Sequence, residues 1–517
     1  MKNWSSPSAK GSILASLLLL LVAGALRAQD TVRYELGTQA LGASQQYLPH
    51  YSTANRFGIF DDTDRAGGLL RAQVSASHAF TGHWSIVGRL DAVAKWSSQL
   101  RELWLQQGYL AIRYRALELS GGRVEETTGD QPTALSSGSL GVSGNTRPIP
   151  RVKLALAEYT NVPFTRGYLQ VKGSYVHGWL GPERHVANAY LHEKSAYGKL
   201  GGKLPVNLYG GFTHFVIWGG TTAGVEILNT FEDYWRVVTG RGATENVLIL
   251  GEAVNAAGDH LGVYELGTEV ELKNFSLHVY QQTPFEDASG NTPFNGDRLL
   301  GVSLRPKKPR SLVSGVLYEF LHTTHQSGPG RTDPADGIFD ADGNYGYRYG
   351  GRDNYYNNYL YKTGWTYQDR IIGTPLFFTK SRAKRYIPGF ADPDEGGFDF
   401  NVVNNRIIAH HVGVEGYVKT AQYKLLGTFT TNYGTYGGIN GGIMRWGSIE
   451  NPDAPYAFRP PQRQAYFLLE VESHPFSKQW SLLTSLAIDA GQLTNNVGVL
   501  LGLRREGLWA RKRAIQP

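Results

Sequence analysis

The residues with the means to do chemistry fall into a few groups. Gly141-Val142-Ser143-Gly144-Asn145 has the outline of a nucleophile elbow, in which a serine sits on a sharp strand-to-helix turn, but Asn145 stands where the second glycine belongs. His322 and His325 make an HxxH pair, and His410 and His411 are adjacent. Neither set has a third ligand at metal spacing. Asp333, Asp336, Asp340, Asp342 and Asn344 offer hard oxygens in a glycine-rich stretch, the chemistry that suits calcium. The distal glutamate of a helix-loop-helix calcium site is missing, so a solvated loop is the plainer reading. No nucleophile and base can be assembled from the spacing. The expectation is a protein with no enzymatic activity, cofactor or metal.

The aromatic loops are more suggestive. Tyr345-Gly346-Tyr347-Arg348-Tyr349 is followed by a second run from Asn354 to Tyr361 that contains Tyr355 and Tyr356. Aromatic rings offer an apolar face and a polar tip, so they can stack on sugar rings while Asn, Asp and Arg bond the hydroxyls. Trp365, Tyr367, Asp369 and Arg370 lie where a long loop re-enters a regular segment. The candidate saccharide contacts are therefore Tyr347, Tyr355, Tyr356, Trp365, Tyr367, Asp369 and Arg370. An aromatic belt with a loop folded inward as a plug is the alternative for the same residues.

Composition limits the architecture that could carry such a surface. The chain has 517 residues, 63 of them glycine and none of them cysteine. Zero cysteine rules out a disulfide scaffold and thiolate metal sites. The formal charge of +7 includes Lys2, Lys10 and Arg27, which leaves +4 for the rest. Much of this lies in the tail, where Arg504, Arg505, Arg511, Lys512 and Arg513 face only Glu506. A nucleic-acid binder shows a basic stripe within its folded region, so no nucleic-acid partner is expected.

Residues 1–28 read as an export signal: Lys2 and Lys10, an apolar run from Ile13 to Leu26, then Arg27-Ala28 at the cut. That run falls short of the roughly 20 apolar residues of a membrane-spanning helix. From Leu69 onward the pattern alternates with a period of two. Leu110, Ile112 and Tyr114 interleave with Ala111, Arg113 and Arg115, and Phe467, Leu469 and Val471 with Leu468, Glu470 and Glu472. Each segment thus has one apolar and one polar face. Tight turns such as Thr81-Gly82 and Lys273-Asn274 contrast with long connections such as Thr323 to Tyr359, and aromatics such as Trp84, Trp104 and Trp480 crowd the segment ends. Short turns on one side, long loops on the other and aromatic girdles mark an outer-membrane barrel. The fold expected is all-β: a transmembrane antiparallel barrel of roughly 16 to 18 strands, even in number. Its divisions would be 29–68 as a periplasmic segment and barrel entry, 69–509 as the barrel and 510–517 as a basic tail.

Several strings are recognisable in combination. Leu135-Ser136-Ser137-Gly138-Ser139-Leu140 leads through Ser143-Gly144-Asn145 to Arg147-Pro148-Ile149-Pro150. Then come Ile217-Trp218-Gly219-Gly220-Thr221, the stretch Tyr359 to Pro375, Asn404-Asn405-Arg406 with His410-His411, Asn432 to Tyr436, and finally Asp489 to Gln492 with Asn495 to Gly498. In this order the chain resembles the capsule assembly protein Wzi family, in its Bacteroidetes-type form, from about Pro49 to Gly507.

The resemblance implies an outer-membrane barrel of about 18 strands, with outer loops closing the pore and a lectin-like hold on capsular polysaccharide. It implies no enzymatic chemistry. Enterobacterial members carry a helical bundle ahead of the barrel, whereas Thr31 to Gly68 shows no long amphipathic helix. Contact with polysaccharide export machinery is therefore an open expectation, beside capsular or extracellular polysaccharide and outer-membrane lipid as partners. The competing reading is a porin or substrate channel, whose wet pore would be lined by Arg89, Asp91, Lys95, Arg113, Arg115, Glu269 and Glu271.

Overall fold

A computed structural model describes residues 31–97, 101–242, 256–286, 290–328, 331–332, 348–349, 353–391, 399–439 and 455–510. Eighteen strands form one antiparallel sheet. They are β1 (Thr31–Ala43), β2 (Ala66–Ala79), β3 (Trp84–Ser97), β4 (Arg101–Tyr114), β5 (Leu117–Arg123), β6 (Arg151–Asn161), β7 (Leu169–Trp179), β8 (Tyr190–Leu200) and β9 (Val206–Trp218). The second half comprises β10 (Asp259–Glu271), β11 (Phe275–Phe285), β12 (Arg298–Pro306), β13 (Gly315–His322), β14 (Ile407–Val418), β15 (Ala421–Asn432), β16 (Gln462–Ser473), β17 (Trp480–Gly491) and β18 (Asn496–Ala510). Each strand pairs with the next, and β18 returns to β1 along a register that runs from Thr31↔Ala510 to Ala43↔Gly498. The sheet is closed, so it has no free edge.

The side-chain alternation sorts as a membrane requires. Leu36, Leu70, Leu110, Ile112, Leu208, Leu425, Leu469 and Leu501 point outward and are exposed, whereas Asp91, Glu265, Gln282, Glu319 and Thr428 point inward and are buried. In hydrocarbon an unpaired backbone group has no partner, so a wall that crosses lipid as strands must close. At the end that holds Thr31 and Ala510 the connections are tight. Arg115-Ala116 joins β4 to β5, and Lys419-Thr420 joins β14 to β15, each with its first residue at positive φ (54° and 56°), as primed hairpin turns demand. At the other end lie the long loops.

One expected boundary needs correction. Within the expected 29–68 division, residues 31–68 do not stand apart from the strand pattern: Thr31–Ala43 is the strand that closes the barrel, paired on both sides. Its outward positions, Tyr34, Leu36, Thr38, Ala40 and Gly42, are mostly small or polar, which masks the alternation. Residues 44–65 then turn into the lumen. They carry a one-turn helix, α1 (His50–Thr53), that packs against β16 and β17. The 219–258 loop carries a longer one, α2 (Phe231–Thr239). The expected export signal, the tail beyond Ala510, the aspartate-rich stretch 333–344 and Tyr347 lie outside the described residues.

The wall's polarity gives a direct test. Leu469→Arg, near the middle of β16 on the lipid face, should cost about 2–4 kcal/mol of folding stability in a bilayer. Ser75→Asn, on the lumen face of β2, should cost within about 0.5 kcal/mol. Urea titration of folding into lipid vesicles reads both.

Candidate functional site

The barrel interior is not lined as an open passage. A hydrophobic core crosses it, joining inward wall residues (Phe215, Tyr280, Leu299, Leu317, Leu321) to loop residues (Tyr51, Leu135, Leu140, Tyr355, Tyr356, Trp365, Ile371, Phe377). Three loops meet there: 44–65 after β1, 124–150 after β5, and the 353–391 part of the connection between β13 and β14.

Buried polar groups on the wall hold these loops in place. Glu319, fully buried on β13, accepts from Ser136 Oγ (2.7 Å), from Ser137 N and Oγ (2.7 and 2.6 Å) and from the Tyr280 hydroxyl. Glu265 on β10 accepts from Asp130 N at 2.7 Å and from Gln282 Nε2 at 2.9 Å, and Gln282 Oε1 accepts from Leu140 N at 3.0 Å. The first loop is tied by Lys95 to Asp64 (2.7 Å), by Arg56 to Glu470 (2.7 Å) and by His50 N to the Asp489 carboxylate (2.9 Å). Several charges expected to line a wet pore therefore serve other ends. Asp91 pairs with Arg71 and Lys95 with Asp64, while Arg115 and Glu271 sit at the turn end of the barrel.

The residues singled out from the sequence are gathered by the fold, but into the plug's interior. Trp365, Tyr355, Tyr356 and Tyr367 are 1%, 1%, 2% and 6% exposed. The Trp365 indole donates to Gly141 O at 2.8 Å and its ring packs on Phe215 at 5.0 Å. Tyr355 donates to Asp297 at 2.8 Å, and burial beside that carboxylate raises its hydroxyl well above the ordinary tyrosine range. Tyr356 donates to Leu140 O at 2.5 Å while its backbone N–H reaches Glu286 at 2.6 Å. Its φ of 71° is an outlier for a bulky residue. The neighbouring chain requires Gly364, where a Cβ would lie 2.2 Å from Tyr356 O. These rings have no face left for a sugar.

Arg370 is the hub. Its guanidinium donates to the carbonyls of Asn145 (2.7 Å), Thr53 (2.9 Å) and Phe60 (3.1 Å), so one side chain binds all three loops. Burial lowers its pKa, opposed by Asp62 and Asp61. Asp369 accepts at 2.5 Å from the Oγ of Ser381, in the first turn of the helix α3 (Lys380–Tyr386). With Gln368 it forms the exposed tip of a small hairpin, both residues at positive φ. Ser143 of the elbow-like string donates to Gly373 O at 2.6 Å and is a tether. His410 and His411, neighbours in sequence, point to opposite faces of β14: one bonds Tyr318 outside, the other Leu135 O inside.

Two further places offer polar groups. A lumen cavity of about 320 Å³ is lined by Glu126, Arg151, Lys153, Tyr159, Lys172 and Tyr197. The Lys172 ammonium covers the rings of Tyr159 and Tyr197 at 4.7 and 4.6 Å, which closes them to stacking. At the outer end, the β7–β8 loop meets the plug. His185 N donates to Thr363 Oγ1 at 2.8 Å, Arg184 clamps the carbonyls of Gly364 and Thr366, and Asn401 Nδ2 donates to Thr363 O at 3.3 Å. Burial draws the Arg184 guanidinium down to about 10. His185 is exposed, and Lys362, Thr363 and Asn401 are half-buried. Together they form a polar outer face resting on the plug.

The profile of the capsule assembly protein Wzi family matches residues 51–378, well over half of the chain. The chain belongs to the capsule assembly protein Wzi family. Among solved structures it is similar to Wzi of Escherichia coli, described as an outer-membrane protein involved in group 1 capsule assembly and a carbohydrate-binding β-barrel. That similarity has 14% identity and a TM-score of 0.51, covering 97% of this chain and 89% of that one. It is also similar to Acinetobacter baumannii OccAB2 (9% identity, TM-score 0.46, 94% and 100% covered) and to OprD of Pseudomonas aeruginosa (7%, 0.45, 94% and 96%). No curated protein matches the chain. As a Wzi-family barrel, the protein resides in the outer membrane.

Spacing alone missed the tethering groups Glu319, Glu265, Gln282, Asp297 and Arg184. A signal existed for Glu319: it occupies an inward position between Leu317 and Leu321, so a lone charge interrupts an apolar face. Glu319→Ala should strip a buried acceptor from Ser136, Ser137 and Tyr280, at about 1–3 kcal/mol for each donor left unpaired. The expected result is protease cleavage within 124–150 in an otherwise intact, heat-modifiable barrel.

Proposed function

We propose that the protein is a non-catalytic outer-membrane platform that holds capsular polysaccharide at the cell surface and assists capsule assembly. Membership of the Wzi family supports this, and the apolar core through the lumen is the observation that carries it. Three loops packed and hydrogen-bonded into the bore suit a holding surface, which needs a rigid base, better than an open water-filled channel. The polysaccharide would lie on the outer face formed by His185, Lys362, Thr363 and Asn401, with the exposed Gln368-Asp369 tip as a further contact. Donors and acceptors of this kind match sugar hydroxyls, and many weak contacts along a repeating polymer add up through effective concentration. The buried Tyr355, Tyr356, Trp365, Tyr367 and Arg370 would act by positioning these groups. Outer-membrane lipid would surround the wall, and export machinery would meet the periplasmic end, where Arg33, Glu35, Arg89, Lys478 and Glu506 line a cavity of about 470 Å³.

A combined His185→Ala, Lys362→Ala and Asn401→Ala variant should lose cell-bound capsule severalfold at unchanged barrel abundance. Retention of capsule by that variant would remove this face as the binding surface. In planar bilayers the intact protein should conduct little; steady open-channel current would favour the porin reading instead.

A further inference from the structure

The helix α2 has no place in the plug. Parity along the wall shows where it lies. On β9, Phe215 faces inward against Trp365, so Val216 and Trp218 face outward, in line with the exposed Leu208 below them. The helix covers these outward residues: Val237 packs with Val216, Trp218 and Leu228, and Tyr234 joins them. The Tyr234 hydroxyl lies 2.5 Å from that of Tyr175 on β7, and its ring meets His177 and His192 at 6.1 and 5.8 Å. Lys194 on β8 donates to Val238 O at the helix's C-terminal turn. Thus α2 is strapped to the outside of the barrel, across the outer halves of β7, β8 and β9.

Its ends are sharply fixed. Thr230 and Asp233 form a reciprocal capping box, and Gly240, at φ 66°, ends the helix. Nine residues are too few for a stable isolated helix, so docking on the wall sustains it. Yet a second apolar edge points away from the wall: Phe231 is 82% exposed and Trp235, one turn on, is 55% exposed. On a surface facing water, two large rings so placed are a liability. Here the surface below is the lipid-facing wall. Next to it the outward positions change from Leu200, Val206 and Leu208 to Lys194, His214 and His260, as expected where acyl chains give way to headgroups.

We propose that α2 is an interfacial anchor, lying in the headgroup layer of the outer leaflet with Phe231 and Trp235 inserted among the acyl chains. The occupant of this edge is lipid, because the edge continues the surface that the barrel already presents to lipid. Lys194, Arg236 and Arg241 would lie at the depth of headgroup phosphates. Such a helix, apolar below and charged at its flank, binds along a membrane plane and does not cross it. It would fix the barrel's height and tilt, and so the height of the neighbouring β7–β8 rim above the membrane.

The absence of cysteine makes the test clean. Single Phe231→Cys and Trp235→Cys variants of the full barrel carry a nitroxide label in phosphatidylethanolamine–phosphatidylglycerol vesicles, with Leu208→Cys and Ala223→Cys as lipid and water references. Collision with oxygen and with a water-soluble nickel chelate gives each label's depth. Labels at 231 and 235 should favour oxygen severalfold over nickel, as at 208. A water-like ratio, as at 223, would overturn the proposal. Protection from both reagents would also overturn it, since that means a second protein surface covers the edge.

Discussion

The constraint on which the structure depends is that hydrocarbon offers no hydrogen bonds. Every backbone N–H and C=O crossing it must be paired within the protein, and the β1–β18 register does this by joining the first strand to the last. Once the ladder closes, the side chains have no freedom of direction. One parity meets lipid and must be apolar; the other meets the lumen and is released from that rule. The inward carboxylates and amides that organise the plug exist because of this second parity.

Those inward groups make the lumen a place for folding loops. A buried carboxylate is costly unless it is satisfied. Glu319 and Glu265 are satisfied by backbone and side-chain donors of the 124–150 loop, so the wall and the loop stabilise each other. Arg370 does the same from the loop side, using carbonyls of two other loops. A guanidinium suits this task because its planar fork presents five donors in fixed directions. The plug is therefore polar at its attachment points and apolar between them, where Trp365, Tyr356 and Phe377 pack.

The arrangement separates the roles of aromatic residues by depth. Rings in the lumen fill the plug and carry its hydrogen bonds. Rings outside, on α2 and at strand ends such as Trp84 and Trp179, are exposed on the outer side of the wall. Polar groups dominate the outer face that the plug supports. If the proposed polymer is held there by hydroxyl contacts, that face must stay still, and the tethers beneath it supply the rigidity.

Much of the fold was legible in the chain. Alternation of the kind seen from Leu110 to Tyr114 and from Phe467 to Glu472 is a local property, set by the two-residue period of a strand, so the barrel and its lipid face follow from the sequence. The first strand escaped because its outward residues are too small and polar to show the period. The site was less legible. The sequence determined that Tyr355, Tyr356, Trp365 and Arg370 sit together in loops rich in hydrogen-bonding groups. Only the tertiary structure decided that they face the core, because a loop residue has no periodic partner to fix its direction. Its exposure depends on which distant groups, here Glu319, Asp297 and the carbonyls of Thr53 and Asn145, the closed barrel brings within reach.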